Sequence, residues 1–209
     1  MTRPRVAGIV LAGGASSRFG GDKLATSLDG RPLLHHALEA VADVVDHVVV
    51  VIATDADAPS LPRSLIGKAS IARDLGEFGG PLAGLAAGLH AMAARAGFEP
   101  RQVALVVAGD MPALVPAVLE LLVVRLIQGS SLAAMTLEAD NPSPLPMAVR
   151  PAVADVADEI LRSPGRRSLL ALLEAIPAGL VPAATWRTLD PDGRTLRDVD
   201  RREDLMPGS

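Results

Sequence analysis

Two side chains in this 209-residue sequence have types and settings suited to phosphate chemistry, Lys23 and Asp110. Lys23 closes the segment LAGGASSRFGGDK, Leu11 to Lys23, which carries four glycines, two serines and Arg18 directly after an apolar run. Glycine lets backbone N–H groups approach an anion with no Cβ in the way. Arg18 and Lys23 add side-chain charge for phosphate oxygens. The spacing fits neither a Walker A loop nor GxGxxG. A flexible surface loop would read similarly, but connections between α/β elements usually run about 2–6 residues, and longer ones are commonly functional. The lysine is itself unusual: of 20 basic side chains only Lys23 and Lys68 are not arginine.

Asp110 lies in VVAGDMP, at the end of the apolar run Val103–Ala108. A hard carboxylate at the end of such a strand is a natural Mg²⁺ ligand beside a phosphate. A helix N-cap is the plainer role, but Asp110 comes too early for the helix that follows Pro112. The segment RDLGEFGGPLAGLAAG, Arg73 to Gly88, reads equally well as a close approach to a nucleoside and as a glycine-dotted packing face. Near the end, Asp198 and Asp200 alternate and would face one side of an extended chain. Two such carboxylates suit a metal shell. On the residues alone, a solvated acidic turn capping a last helix at 201–205 fits slightly better. His35 and His36 are neighbours that cannot share a helix face; with His47 and His90 they read as structural or surface residues. Ser16 and Ser17 have no positioned base.

The elements that must hold these residues follow from periodicity. Val6–Ala12 and Val48–Ala53 are continuous apolar runs, as in strands buried on both faces, and Ala69–Arg73 is a weaker third. Val103–Ala108 and Leu132–Thr136 continue the series. Helical spacing fills 32–45, 82–93, 114–127, 151–161 and 168–176. Residues 141–146 hold three prolines and form a loop. Asp190-Pro191-Asp192-Gly193 is a turn, and 196–200 is a closing strand or a loop. This alternation implies an α/β fold of three layers, a mostly parallel sheet flanked by helices. Ligands of such sheets bind beyond the carboxyl ends of the strands. The segments around Lys23, Asp74 and Asp110 all leave such ends. One domain over 1–209 is the economical reading, with a nucleotide-binding part to about 140 and an acceptor-binding lobe after it.

Composition narrows the partners. The chain has no cysteine, which excludes disulfides, thiolate metal sites and a cysteine nucleophile. A net charge of −4 with 2% aromatic residues argues against a nucleic-acid surface. No apolar run approaches the ~20 residues of a membrane span. Arg3 and Arg5 before Val6–Ala12 imitate a leader, but Arg18, Asp22 and Lys23 follow at once, so a buried strand and a cytoplasmic location are expected.

Taken together, the Leu11–Lys23 segment, Gly80-Pro81-Leu82-Ala83-Gly84 and Gly109-Asp110-Met111-Pro112 resemble the molybdenum cofactor guanylyltransferases, the MobA-like nucleotidyltransferases. The match is closest over the first ~115 residues; Pro144–Met147 and Ser168–Leu170 resemble later segments. The resemblance implies a Rossmann-like nucleotidyltransferase fold. It implies transfer of GMP from GTP to the phosphate of molybdopterin, with Mg²⁺ and release of pyrophosphate. It implies that Leu11, Ala12, Gly13 and Gly14 hold the nucleotide by their backbone, and that Lys23 and Arg18 meet its phosphates. Asp74 and Gly80 would lie by the nucleoside. Asp110 would ligate the metal, with Asp200 as a second contact. The chain departs from the family pattern at Phe19 and at Arg201-Arg202, and has no asparagine where Ile52-Ala53-Thr54 stands. A cytidylyltransferase of the same cofactor, a transferase for another phosphorylated acceptor, and a non-catalytic nucleotide-binding protein are the alternative readings. Oligomeric state is not legible.

Overall fold

The centre of the fold is set by strands made almost wholly of apolar residues. In the computed structural model, which describes residues 5–13, 22–74, 79–95, 97, 102–140 and 143–205, β1 is Val6–Leu11, β4 is His47–Ala53 and β6 is Val103–Ala108. Successive side chains of a strand point to opposite faces. Val48, Val50 and Ile52 therefore join one core, and Val49 and Val51 the other. A strand with both faces covered has no polar side to show, which is why these runs do not alternate.

Chain order gives β2 (Ser27–Leu28), β3 (Arg31–Pro32), α1 (Leu33–Ala42), β4, β5 (Ala69–Asp74), α2 (Pro81–Ala93), β6 and α3 (Pro116–Gln128). Then follow β7 (Ala134–Leu137), β8 (Met147–Val149), α4 (Val153–Arg162), α5 (Leu169–Ala175), β9 (Ala178–Val181) and α6 (Ala183–Trp186). The seven-stranded sheet runs β5-β4-β1-β6-β8-β7-β9. All its pairs are parallel except those of β8, which is antiparallel to both β6 and β7. Helices α1 and α3 cover one face; α2, α4 and α5 cover the other. The expected three-layer, mostly parallel architecture is present. Among the described residues no helix is long and apolar enough to cross a membrane.

Two features fix the site. From β1 the chain moves outward on one side to β4 and β5, then returns to lay β6 against the other side of β1. This reversal opens a crevice between the carboxyl ends of β1 and β6. The crevice is tied at its base by Gly109, whose N–H donates to Leu11 O at 2.9 Å.

Helix α2 packs against β1 and β4 through its glycines. A Cβ on Gly88 would stand 2.7 Å from Ile9 Cγ2, so the glycines here are a packing face. Gly79 and Gly80 differ: φ is +55° and +89°, with open space where a side chain would go. Their requirement is the left-handed backbone that turns the chain into the helix. The even choice left by the sequence thus resolves within α2 in favour of packing. The end of the chain departs from a strand. Residues 194–196 and 202–205 are single 3₁₀ turns with an irregular stretch between them.

Candidate active site

The site begins with a turn that aims Lys23. Asp22 Oδ1 accepts the N–H groups of Leu24 at 3.1 Å and Ala25 at 3.2 Å. The Thr26 hydroxyl donates to Asp22 O, and the Leu34 N–H donates to Leu24 O at 3.1 Å. The backbone around Lys23 is therefore fixed against the start of α1 before the side chain makes any contact. The lysine then reaches into the crevice with only 11% of its side chain exposed.

Its partner is Asp110. Lys23 Nζ donates to Asp110 Oδ2 at 2.8 Å, and Asp200 Oδ1 lies 3.5 Å from the same nitrogen. These residues are 87 and 177 positions apart in sequence from Lys23. Asp110 sits just past β6, where Gly109 turns the chain; a Cβ on Gly109 would stand 2.9 Å from Leu34 Cδ1. The tail reaches the site because the Val199 N–H donates to Asp110 O at 2.9 Å. Val199 is itself buried beside Leu33.

Asp198 belongs to the same cluster. Desolvation pushes its carboxyl above the ordinary range, and the charges of Asp200 and Asp110 push it further, against a smaller opposing pull from Lys23. Three carboxylates and one ammonium thus share one field. Among the described residues no three acidic or imidazole groups are gathered closely enough to enclose an ion on their own. An ion held here would take its remaining ligands from elsewhere. The acidic-turn reading of the tail also holds, but for Asp204. Its Oδ2 accepts the N–H groups of Asp200 at 2.8 Å and Arg201 at 2.7 Å. These bonds hold its carboxyl below the usual range. Asp204 builds the turn, and Asp198 and Asp200 face Lys23 and Asp110.

The remaining candidates spread along the same sheet edge. Leu11 ends β1, and the Ala12 N–H donates to Val51 O at 2.7 Å. Gly13 passes so close to β4 that a Cβ would stand 2.9 Å from Ala53 N, so only glycine fits without displacing backbone. Asp74 ends β5, two strands from β1, and its carbonyl accepts the Thr54 hydroxyl. Gly80 opens α2. Gly14 and Arg18 lie outside the described residues. A cavity of about 520 Å³ borders the Lys23 turn, walled by Ala12, Asp22, Ile52 and residues 56–60. The loop that forms this wall is fastened by Arg73, whose guanidinium donates to the carbonyls of Thr54 and Ala56, both at 2.8 Å. Arg73 and Asp204 act through backbone groups and had no distinguishing spacing in the sequence, while Asp22 was read only as part of the Leu11–Lys23 motif and not as the residue that sets its turn. Of the histidines, His35 bonds Ser60, His47 bonds Ser70 and His90 bonds Asp158, as structural residues do.

Known proteins share this sequence pattern and fold. Residues 8–178 match the profile of the MobA-like NTP transferase domain. A probable molybdenum cofactor guanylyltransferase of Chloroflexus aggregans is 30% identical over 96% of this chain and 91% of its own length. A molybdenum cofactor guanylyltransferase of Desulfosudis oleivorans is 30% identical over 96% and 92%. The crystal structure of molybdopterin-guanine dinucleotide biosynthesis protein A from Archaeoglobus fulgidus superposes with a TM-score of 0.74 at 25% identity, covering 95% of this chain and 94% of that one. The chain belongs to the MobA-like NTP transferase family and is a nucleotidyltransferase.

Proposed function

We propose that the protein transfers GMP from GTP to the phosphate of molybdopterin and releases pyrophosphate. The observation that carries this reading is the convergence of Lys23 on Asp110 and Asp200 at the β1–β6 crevice. In the proposed reaction a phosphate oxygen of the acceptor bonds to the α-phosphorus of GTP, and the bond from that phosphorus to the bridging oxygen of the β-phosphate breaks. The acceptor is already ionised at neutral pH, so no general base is required. The task is electrostatic: two anions must meet, and charge on the leaving pyrophosphate must be offset.

The donor set fits a hard divalent cation. Asp110 and Asp200 offer carboxylate oxygens of the kind Mg²⁺ prefers, and phosphate oxygens and water would complete the shell. When bound, such an ion neutralises charge on the phosphoryl group. Lys23 supplies a fixed ammonium for the phosphates, with Arg18 as a second cation. The backbone of Leu11, Ala12, Gly13 and Gly14 cradles the nucleotide, and Asp74 and Gly80 lie toward the nucleoside.

Thermal unfolding with Mg²⁺ and each of GTP, CTP, ATP and UTP tests the nucleotide. A ligand at about 100 times its dissociation constant adds roughly 2.7 kcal/mol, on the order of 5–10 °C for a chain this long. GTP is expected to give this shift and the others far less. A shift with CTP alone would make the protein a cytidylyltransferase, and no shift with any nucleotide would remove the reading.

A further inference from the structure

One buried carboxylate takes no part in that chemistry: Asp190, with none of its surface exposed. It opens the turn closed by Gly193, whose φ is +64° and whose N–H donates to Asp190 O at 3.1 Å. Asp190 Oδ2 accepts the Thr195 N–H at 2.7 Å. Oδ1 accepts no hydrogen bond among the described residues and lies 3.7 Å from Arg194 Nε. The fully buried Thr195 passes the connection on, its Oγ1 accepting the Val115 N–H at 3.2 Å. Val115 is the residue before α3, where a backbone N–H has no partner within the helix.

Five residues before Val115 is Asp110, whose carbonyl accepts the Val199 N–H. The tail therefore grips the Asp110 segment at both ends: Thr195 holds Val115, and Val199 holds Asp110. Between and just beyond these anchors lie Asp198 and Asp200, both exposed and in irregular backbone. Like charges repel, so three neighbouring carboxylates tend to push a loose tail away. Lys23 offsets part of that repulsion, and anchors in the tail's own backbone add to it. We infer that Asp190 and Thr195 form a buried clamp whose role is to position Asp198 and Asp200 against Asp110, making both positioning residues for the divalent-cation site. This inference rests on the reading above, in which Asp110 and Asp200 hold the ion.

Mn²⁺ binding in the presence of GTP, followed by the paramagnetic signal of free Mn²⁺, tests it apart from turnover. Thr195→Val keeps the shape and removes the acceptor for the Val115 N–H. It is expected to weaken Mn²⁺ binding about tenfold, the scale seen when supporting partners of metal ligands are removed. Thr195→Ser, which restores the oxygen, is expected to recover wild-type affinity. Thr195→Ala leaves room for a water on the Val115 N–H; it keeps the fold if Thr195→Val does not, and is expected to show the same weakening. Wild-type Mn²⁺ affinity in the folded valine or alanine variant, or failure of serine to restore it, would overturn the clamp. Asp110→Asn separates the two ideas. Lost Mn²⁺ binding in that variant with unchanged binding in the Thr195 variants overturns the clamp alone, whereas unchanged binding in Asp110→Asn overturns the metal reading and the inference that rests on it.

Discussion

Lys23 illustrates how a single residue becomes legible. Its signal was rarity, since a chain that otherwise uses arginine for positive charge spends a lysine where a compact ammonium is needed. Asp110 was legible because a charge directly after an all-apolar strand has no packing reason to be there. The two meet at 2.8 Å. By contrast Asp22 and Asp204, which set the backbone of the same site, bond only to N–H groups a few positions away. Any exposed Asp in a turn looks the same in sequence, so neither showed its structural role, although Asp22 lies within the Leu11–Lys23 motif. Replacing Lys23 by alanine removes a mostly buried cation while the Asp22 turn keeps its own bonds. Turnover of the folded variant is expected to fall about 10²–10³-fold, as when one preorganised electrostatic partner is lost. Steady-state rates beside a melting curve check it, and near-normal turnover would refute the role of the ammonium.

The strands β1, β4 and β6 were legible because burial on both faces writes a continuous apolar run, the edge strand β5 only weakly because it is half-exposed and ends in Arg73 and Asp74, and helices α1 to α5 because one-sided burial writes a 3.6-residue period. Strands β8 and β9 were not. Met147–Val149 is three residues long and follows a proline-rich loop; it is a strand only because β6 and β7 flank it. Such an element is made by long-range pairing, which local pattern does not encode. The hairpin of β2 and β3 and the one-turn helix α6 are short for the same reason. The closing segment 196–200 left strand and loop open, and its course follows from Thr195 and Val199 bonding across to residues 115 and 110. Within α2 two glycines divide by geometry. A Cβ at Gly84 would meet Leu11 Cδ2 at 3.3 Å, the tip of a flexible side chain. At Gly88 it would meet Ile9 Cγ2 at 2.7 Å and Val51 Cγ2 at 3.1 Å. Alanine gains about 1 kcal/mol over glycine within a helix, whereas forced overpacking costs about 1–3 kcal/mol. Gly84→Ala is expected to match or exceed wild-type stability in urea, and Gly88→Ala to lose about 1–2 kcal/mol. The reverse order would mean that α2 does not press on β1 as described.

For the molecule as a whole, the buried Asp190 couples folding to pH. Burial alone would raise its carboxyl, but the Thr195 hydrogen bonds, the Arg194 N–H and the Arg194 charge together hold it below the ordinary range. A carboxyl more acidic in the folded than in the unfolded chain stabilises the fold above its unfolded value of about 3.9, and that contribution is lost as pH falls through the lower folded value. Melting temperatures between about pH 5 and pH 3 are therefore expected to drop more steeply for wild type than for Asp190→Asn, and equal slopes would contradict the assignment. The reversal of strand order at β1 matters most at this level. It sets the carboxyl ends of β1 and β6 side by side and so brings Lys23 against Asp110, and the proposal is that both act on one substrate. The most direct measurement of that claim uses GTP labelled at the α-phosphate, with molybdopterin and Mg²⁺, in wild type and Asp110→Asn. Wild type is expected to move label onto the acceptor with one pyrophosphate released per transfer, and the variant to do so at least about 10²-fold more slowly. Equal transfer by the two proteins, or no transfer by wild type, would contradict it.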